Sequence, residues 1–187
     1  MNHTLSHSGI DPTAGAQGYA SPLPEEAIEV SEFRRVAGCF ATGVTIVTTT
    51  SPAGEPIGLT ANSFTTVSLD PPLILFSVAR RLHSQPAFQN AQHFSVNVLH
   101  EGQLALAKQF AVPLGEKWKN IQFEDGAFGC RLISNAAAVL ECEKYASYDG
   151  GDHVIFVGRV LKIKADWDRG PLIFWRGKFG TVALKNT

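Results

Sequence analysis

Gly43-Val-Thr-Ile-Val-Thr-Thr-Thr50 followed by Ser51-Pro-Ala-Gly54 is the stretch on which the fold turns. Every residue after Gly43 in that run is β-branched, a stiffness that suits a pleated strand and disfavours a helix. Ser-Pro-Ala-Gly supplies turn chemistry, so residues 57–64 read as the returning strand of a hairpin. Working downstream, Asp70-Pro71-Pro72 is a strong breaker, and residues 73–78 form a short buried strand. Residues 84–90 read as a short helix with Ser84 as its N-cap. Residues 94–99 alternate like a strand, residues 103–110 read as a helix, and the chain to about Gly129 is irregular. Strands at 139–145, 153–165, 172–175 and 178–184 complete the series. Upstream, Pro24-Glu25-Glu26 suits a helix start. Val30, Phe33 and Ala37 then share a face with Val36 and Phe40 beside it, and Gly38 and Gly43 bracket the end.

Seven or eight strands with three short helices do not alternate as a doubly wound parallel sheet requires. A mainly β architecture is expected, a closed or nearly closed antiparallel barrel with helices over its ends, which removes exposed sheet edges. Residues 1–23 contain few large apolar side chains and bury too little to offset their conformational entropy, so a disordered tail precedes a domain at 24–187. The chain has 187 residues, and Lys+Arg 16 against Asp+Glu 17 gives a net charge of -1. That near-neutrality, with a pI near 6.6, argues against nucleic acid or an anionic membrane as partner. No run approaches a spanning helix, and no Lys or Arg precedes Arg34, so no secretory signal is read. Cys39, Cys130 and Cys142 form no CxxC and no paired framework, which suits reduced thiols in a cytoplasmic protein.

The sequence contains no GxxxxGK[ST] loop, GxGxxG fingerprint, HExxH or GxSxG elbow. Of its six histidines, His3 and His7 lie in the expected tail and the other four show no metal spacing. Three segments carry the remaining chemistry. Residues 58–72 are dense in hydrogen-bonding groups, including Thr60, Asn62, Ser63, Thr65, Thr66 and Ser68. They read either as a cradle for a flat polar heterocycle or as an exposed barrel strand with a turn. Ser77-Val-Ala-Arg-Arg-Leu-His-Ser84 joins a strand to a helix start, which fits an anion site or an ordinary cap with solvated arginines. Asp149-Gly-Gly-Asp-His153 places a histidine at a strand mouth, either to orient a substrate or as the polar tip of a hairpin.

In this order and spacing, the pieces resemble the flavin reductase-like family of split-barrel flavoproteins. They are Phe33-Arg34 with Ala41-Thr-Gly-Val-Thr-Ile-Val-Thr48, Gly58-Leu-Thr-Ala-Asn-Ser-Phe64 leading to Pro71-Pro72, and Phe94-Ser-Val-Asn-Val-Leu99. Gly151-Asp152-His153 with Phe156 and Gly158, then Pro171-Leu172 with Arg176-Gly177, complete the set. The resemblance implies an antiparallel Greek-key split β-barrel that forms a homodimer and binds FMN or FAD. On it, Thr60, Ala61, Asn62, Ser63 and Phe64 lie along the flavin ring and ribityl chain, and Thr42 and Gly43 join the same pocket. Ser77, Arg80 and Ser84 mark the phosphate end. Gly151, Asp152 and His153 match a motif associated with nicotinamide, which makes His153 the candidate catalytic residue for NADH or NADPH. Arg80-Arg-Leu-His-Ser84 and Phe174-Trp175 depart from the family's usual pattern.

The implied reaction is hydride transfer from nicotinamide to flavin, in which the protein orients two rings. Reduced flavin would then serve a separate monooxygenase. Two other readings stand beside it: a flavin-dependent oxidase or oxygenase with its own organic substrate, and a non-catalytic flavin carrier.

Overall fold

The computed structural model describes residues 27–183. The expected tail, the Pro24-Glu25-Glu26 helix start and Leu184 lie outside the described residues. The elements are α1 (Val30–Ala37), β1 (Thr42–Gly43), β2 (Thr45–Thr50), β3 (Pro56–Ala61), β4 (Thr65–Leu69) and β5 (Pro72–Ala79). Next come α2 (Gln85–Asn90), β6 (His93–Val98), a 3₁₀ turn (Glu101–Gln103) and α3 (Leu104–Ala111). The chain closes with β7 (Phe123–Asp125), β8 (Arg131–Ile133), β9 (Ala138–Gly150), β10 (His153–Ala165), β11 (Ile173–Trp175) and β12 (Lys178–Gly180).

Seven strands form one sheet in the order β3-β2-β6-β9-β10-β5-β4, every pair antiparallel. Its edge strands β3 and β4 are consecutive in the chain, with only Asn62, Ser63 and Phe64 between them. The sheet therefore has to curl until its edges meet. At the seam the Ser77 backbone N–H of β5 donates to Ser63 Oγ at 2.9 Å. This is the mainly β, antiparallel barrel that the strand count led us to expect. A three-stranded sheet β1-β11-β12 and the hairpin β7-β8 pack outside it.

The β-branched run explains itself in β2. Val47 faces the barrel interior and Ile46 a second core outside, so the strand is buried on both faces. Its threonines are tolerated there because each hydroxyl finds a carbonyl. Thr45 donates to Ala61 at 2.9 Å, Thr48 to Arg131 at 2.7 Å and Thr49 to His93 at 2.8 Å. The expected single strand from Gly43 is in fact split at Val44. Its N–H donates to Leu172 O and its carbonyl accepts from Leu99, so the chain passes there from the small sheet to the barrel.

Inside the barrel, Phe76 lies at the centre of three other aromatic rings, with centroids 4.9 Å from Phe94, 5.5 Å from Phe156 and 5.7 Å from Phe88. The outer core of Val44, Ile46, Leu99, Phe110, Ile133 and Leu172 includes Ala107 and Phe110 of α3. Three sequence expectations change. Residues 65–69 are a strand of their own, unread because it is polar and mostly exposed. β7 and β8 occupy the stretch read as irregular, each three residues long and paired as a strand only with the other. β9 continues past Tyr145 to Gly150, making a long hairpin with β10.

Candidate functional site

The bend from Thr60 to Phe64 carries the chain from one barrel edge to the other, and its residues divide by direction. Thr60 turns its hydroxyl away from the wall and donates to Ala107 O of α3 at 2.6 Å. That spends the hydroxyl's one donor, while its oxygen can still accept. Ala61 is buried and Phe64 packs against the inner core. Asn62 is exposed, and among the described residues its amide makes no hydrogen bond. Ser63 is committed to Ser77 at the seam, giving both residues a structural task. Thr42 sits in β1 with its hydroxyl 3.5 Å from Phe174 O, and a Cβ added at Gly43 would meet nothing within 4 Å.

A cleft of about 550 Å³ lies against the start of β3, and none of residues 60–64 lines it. Pro56, Ile57 and Gly58 of β3 form one side, Arg81 to Ser84 another, and the loop after α3 with Leu114, Lys117 and Trp118 the third. Lys117 Nζ donates to Gly58 O at 3.0 Å, and burial pulls the ammonium's pKa below the ordinary lysine value. An apolar cleft with a hydroxyl and two cations fits a ligand that is part flat hydrocarbon and part phosphate. Sequence reasoning missed Lys117 and Trp118; their signal was a cation beside an aromatic in a stretch without periodicity.

At the Ser77–Ser84 segment the helix N-terminus itself offers little to an anion. α2 spans only six residues with Pro86 in its first turn, so few amides are free there. Ser84 is at the N-cap position in helical conformation and makes no side-chain cap bond. It lines the cleft instead.

The Asp149–His153 segment is a tight hairpin tip between β9 and β10, with Gly150 opposite His153. Gly151 has φ 73°, the left-handed conformation that a II′-type connection needs at its first position. His153 Nδ1 lies 2.7 Å from Asp152 Oδ1. The hydrogen bond and charge of the imidazole hold the Asp152 carboxyl below the usual carboxylate range. With Nδ1 turned to a carboxylate, Nε2 is the ring atom left for a ligand. Arg80, expected at the phosphate end, instead reaches this tip, with Nε 2.9 Å from Gly151 O and Nη2 3.0 Å from Asp149 Oδ2. Arg81, its neighbour, is the arginine at the cleft. His153 stands opposite Ala79 in the register, so tip and cleft share the same end of β5.

Among the described residues no helix is long and apolar enough to cross a membrane, and no group of three metal-ligating side chains occurs.

Known proteins bear on this geometry. The chain is 45% identical over 148 residues to FMN reductase (NADH) SmoA of Agrobacterium fabrum, covering 79% of this chain and 83% of that protein. It is 36% identical over 162 residues to the flavin-dependent monooxygenase reductase subunit HsaB of Rhodococcus jostii, covering 87% and 83%. Some relatives are longer, and the chain spans 62%, 52% and 51% of three of them. The solved NADH:FAD oxidoreductase SgcE6 of Streptomyces globisporus C-1027, in complex with NAD and FAD fragments, has a TM-score of 0.78 at 39% identity, covering 82% of this chain and 92% of that one. Residues 37–183 match the family described as flavin reductase like domain. With that match over most of its length, and a split barrel of the same form, this chain belongs to the flavin reductase-like family.

Proposed function

We propose that this chain is an NAD(P)H-dependent flavin reductase that releases reduced flavin to a separate monooxygenase component. The observation that carries the reading is the shared end of β5: a cleft with Arg81, Ser84 and Lys117, and a hairpin tip with His153. Bound FMN or FAD supplies the ring that accepts a hydride from the reduced nicotinamide. In this reading Asn62 and the main chain of 60–64 hold the ring edge, with Thr42 and Gly43 beside them. Arg81, Lys117 and Ser84 hold the phosphate end. Ser77 acts through Ser63, fixing the bend. His153 seats the nicotinamide through Nε2, with Gly151 and Asp152 setting its direction. The chain's contribution to rate is orientation of two reactants, an effect that needs no nucleophile from the protein.

The names of SmoA and HsaB, an NADH-dependent FMN reductase and a monooxygenase reductase subunit, support both halves of the reading. A second copy is the occupant we assign to α1. It has no buried residue, and Phe33, Val36 and Phe40 are exposed on it and just beyond. Such an apolar stripe calls for cover. The three unpaired thiols suit the cytoplasm.

The test mixes purified protein with NADH or NADPH and FMN or FAD and follows loss of reduced-nicotinamide absorbance. Turnover that rises with added free flavin and stops when flavin is withheld supports a reductase that releases its product. Oxidation that needs a further organic substrate, or none at all, refutes it. Light scattering reads the mass, with a dimer expected.

A further inference from the structure

Arg80 is one of two adjacent arginines at the end of β5, and the pair divides its labour. Arg81 lines the cleft, whereas every hydrogen bond of Arg80 to the neighbouring hairpin goes to its tip. The Arg80 backbone N–H donates to Asp152 O at 2.9 Å, and Nε donates to Gly151 O at 2.9 Å. Both carbonyls of the two-residue turn are therefore held by one residue. Nη2 also pairs with Asp149 Oδ2 at 3.0 Å, while the other oxygen of Asp149 accepts from the Gly151 N–H at 2.8 Å. The guanidinium fork thus closes a ring around Gly151, the residue whose conformational freedom would otherwise be greatest. His153 follows that turn directly.

We propose that Arg80 is a positioning residue: it latches the 149–152 turn so that the His153 imidazole is presented to the nicotinamide, and it does not bind the flavin phosphate. This rests on the reading of His153 as the nicotinamide seat. The latch acts on the turn's orientation, so its loss should weaken nicotinamide capture while leaving the cleft intact. Solvent reaches the Arg80–Asp149 pair, and exposed pairs are weak, so a moderate effect is expected.

The test measures steady-state kinetics and FMN affinity, the latter by quenching of flavin fluorescence, for Arg80→Ala, Arg80→Lys, His153→Ala and the Arg80→Ala/His153→Ala double variant. Arg80→Ala should raise the KM for NADH about fivefold, change kcat less, and leave FMN affinity within about twofold. Arg80→Lys should recover part of the KM, since an ammonium reaches one acceptor but lacks the fork. In the double variant Arg80→Ala should add nothing to the cost of His153→Ala. Weakened FMN affinity in Arg80→Ala, additive costs in the double variant, or an unchanged KM while His153→Ala raises it each overturns the latch alone. An unchanged KM in both single variants overturns the nicotinamide seat along with it. If Arg80→Ala does not fold, Asp149→Asn removes the opposing charge, and a raised or unaltered KM for NADH decides the matter in the same way.

Discussion

Lys117 Nζ donates to the Gly58 carbonyl at 3.0 Å, joining the loop after α3 to β3 across the cleft. An ammonium has three donors, so this one bond fixes the side chain and leaves N–H groups for an incoming anion. Lys117→Ala should therefore weaken FMN binding about tenfold and riboflavin, which lacks the phosphate, much less. Fluorescence titrations of the two flavins read the ratio. Equal losses for both would mean that Lys117 serves only to hold the loop.

The same lysine sets a pH dependence. Burial lowers its pKa from the model-compound value of 10.5, so the proton leaves at lower pH than from a free lysine. FMN affinity should fall as pH rises through that lowered value, because the neutral amine no longer attracts phosphate. Lys117→Arg stays charged over the whole range and should lose this step. Affinity curves for the two proteins that remain parallel in alkali would contradict the assignment.

Gly158 of β10 lies so close to Phe94 of β6, across the intervening β9, that a Cβ would lie 2.3 Å from the ring's Cζ and 3.1 Å from the Cys142 Cβ. Phe94 cannot retreat, since Phe76 packs 4.9 Å from it. Gly158→Ala should cost about 2–3 kcal/mol, lowering Tm by roughly 5–10 °C. Thermal unfolding followed by circular dichroism measures this.

Gly158 and Gly58 also show what the sequence could and could not convey. Both fell within family-like pieces, yet Gly58 is required because a Cβ would lie 2.5 Å from Phe110 Cε1. The barrel was legible because β2 is β-branched throughout and its pairing partners alternate. β4 was not, since a polar edge strand looks like a loop until its partner is known. The shape of the candidate site was legible where a backbone bend or a double glycine forced it, at 60–64 and 149–153. It was illegible where direction mattered. Thr60 points to α3, and Arg80 and Arg81 part company only because the register sets Ala79 opposite His153. Lys117 belongs to a loop whose position depends on α3, which no local pattern encodes.

Asn97, fully buried in β6, ties three strands by donating to Ile46 O and accepting from the Ile133 N–H, both at 2.9 Å. Asn97→Ala leaves both partners buried without a bond and should cost about 3 kcal/mol in denaturant unfolding. Asn97→Asp keeps the acceptor but turns a carboxylate toward the Ile46 carbonyl. Burial should raise that carboxyl's pKa above its unfolded value. Its stability should therefore be best in acid, where the protonated form can donate, and decline as pH rises through the folded pKa. A variant whose stability rises with pH would show that the carboxylate finds another partner.

Cys130 and Cys142 lie buried beneath the β8–β9 region, and burial pushes their thiols up to about 11 and about 12 from the model-compound value of 9.0. Cys39 is exposed. At neutral pH a thiol alkylator should modify Cys39 readily and the other two only on unfolding, as peptide mapping before and after denaturant would show. Because the folded pKa values are raised, the stabilising contribution is complete below about pH 9. It should diminish as pH climbs toward 11 to 12, where the unfolded chain has already released its protons. Unfolding free energy should thus decline across that alkaline window, and the decline should shrink in Cys142→Ala measured against its own neutral-pH stability. An undiminished slope in that variant would assign the alkaline sensitivity to other groups.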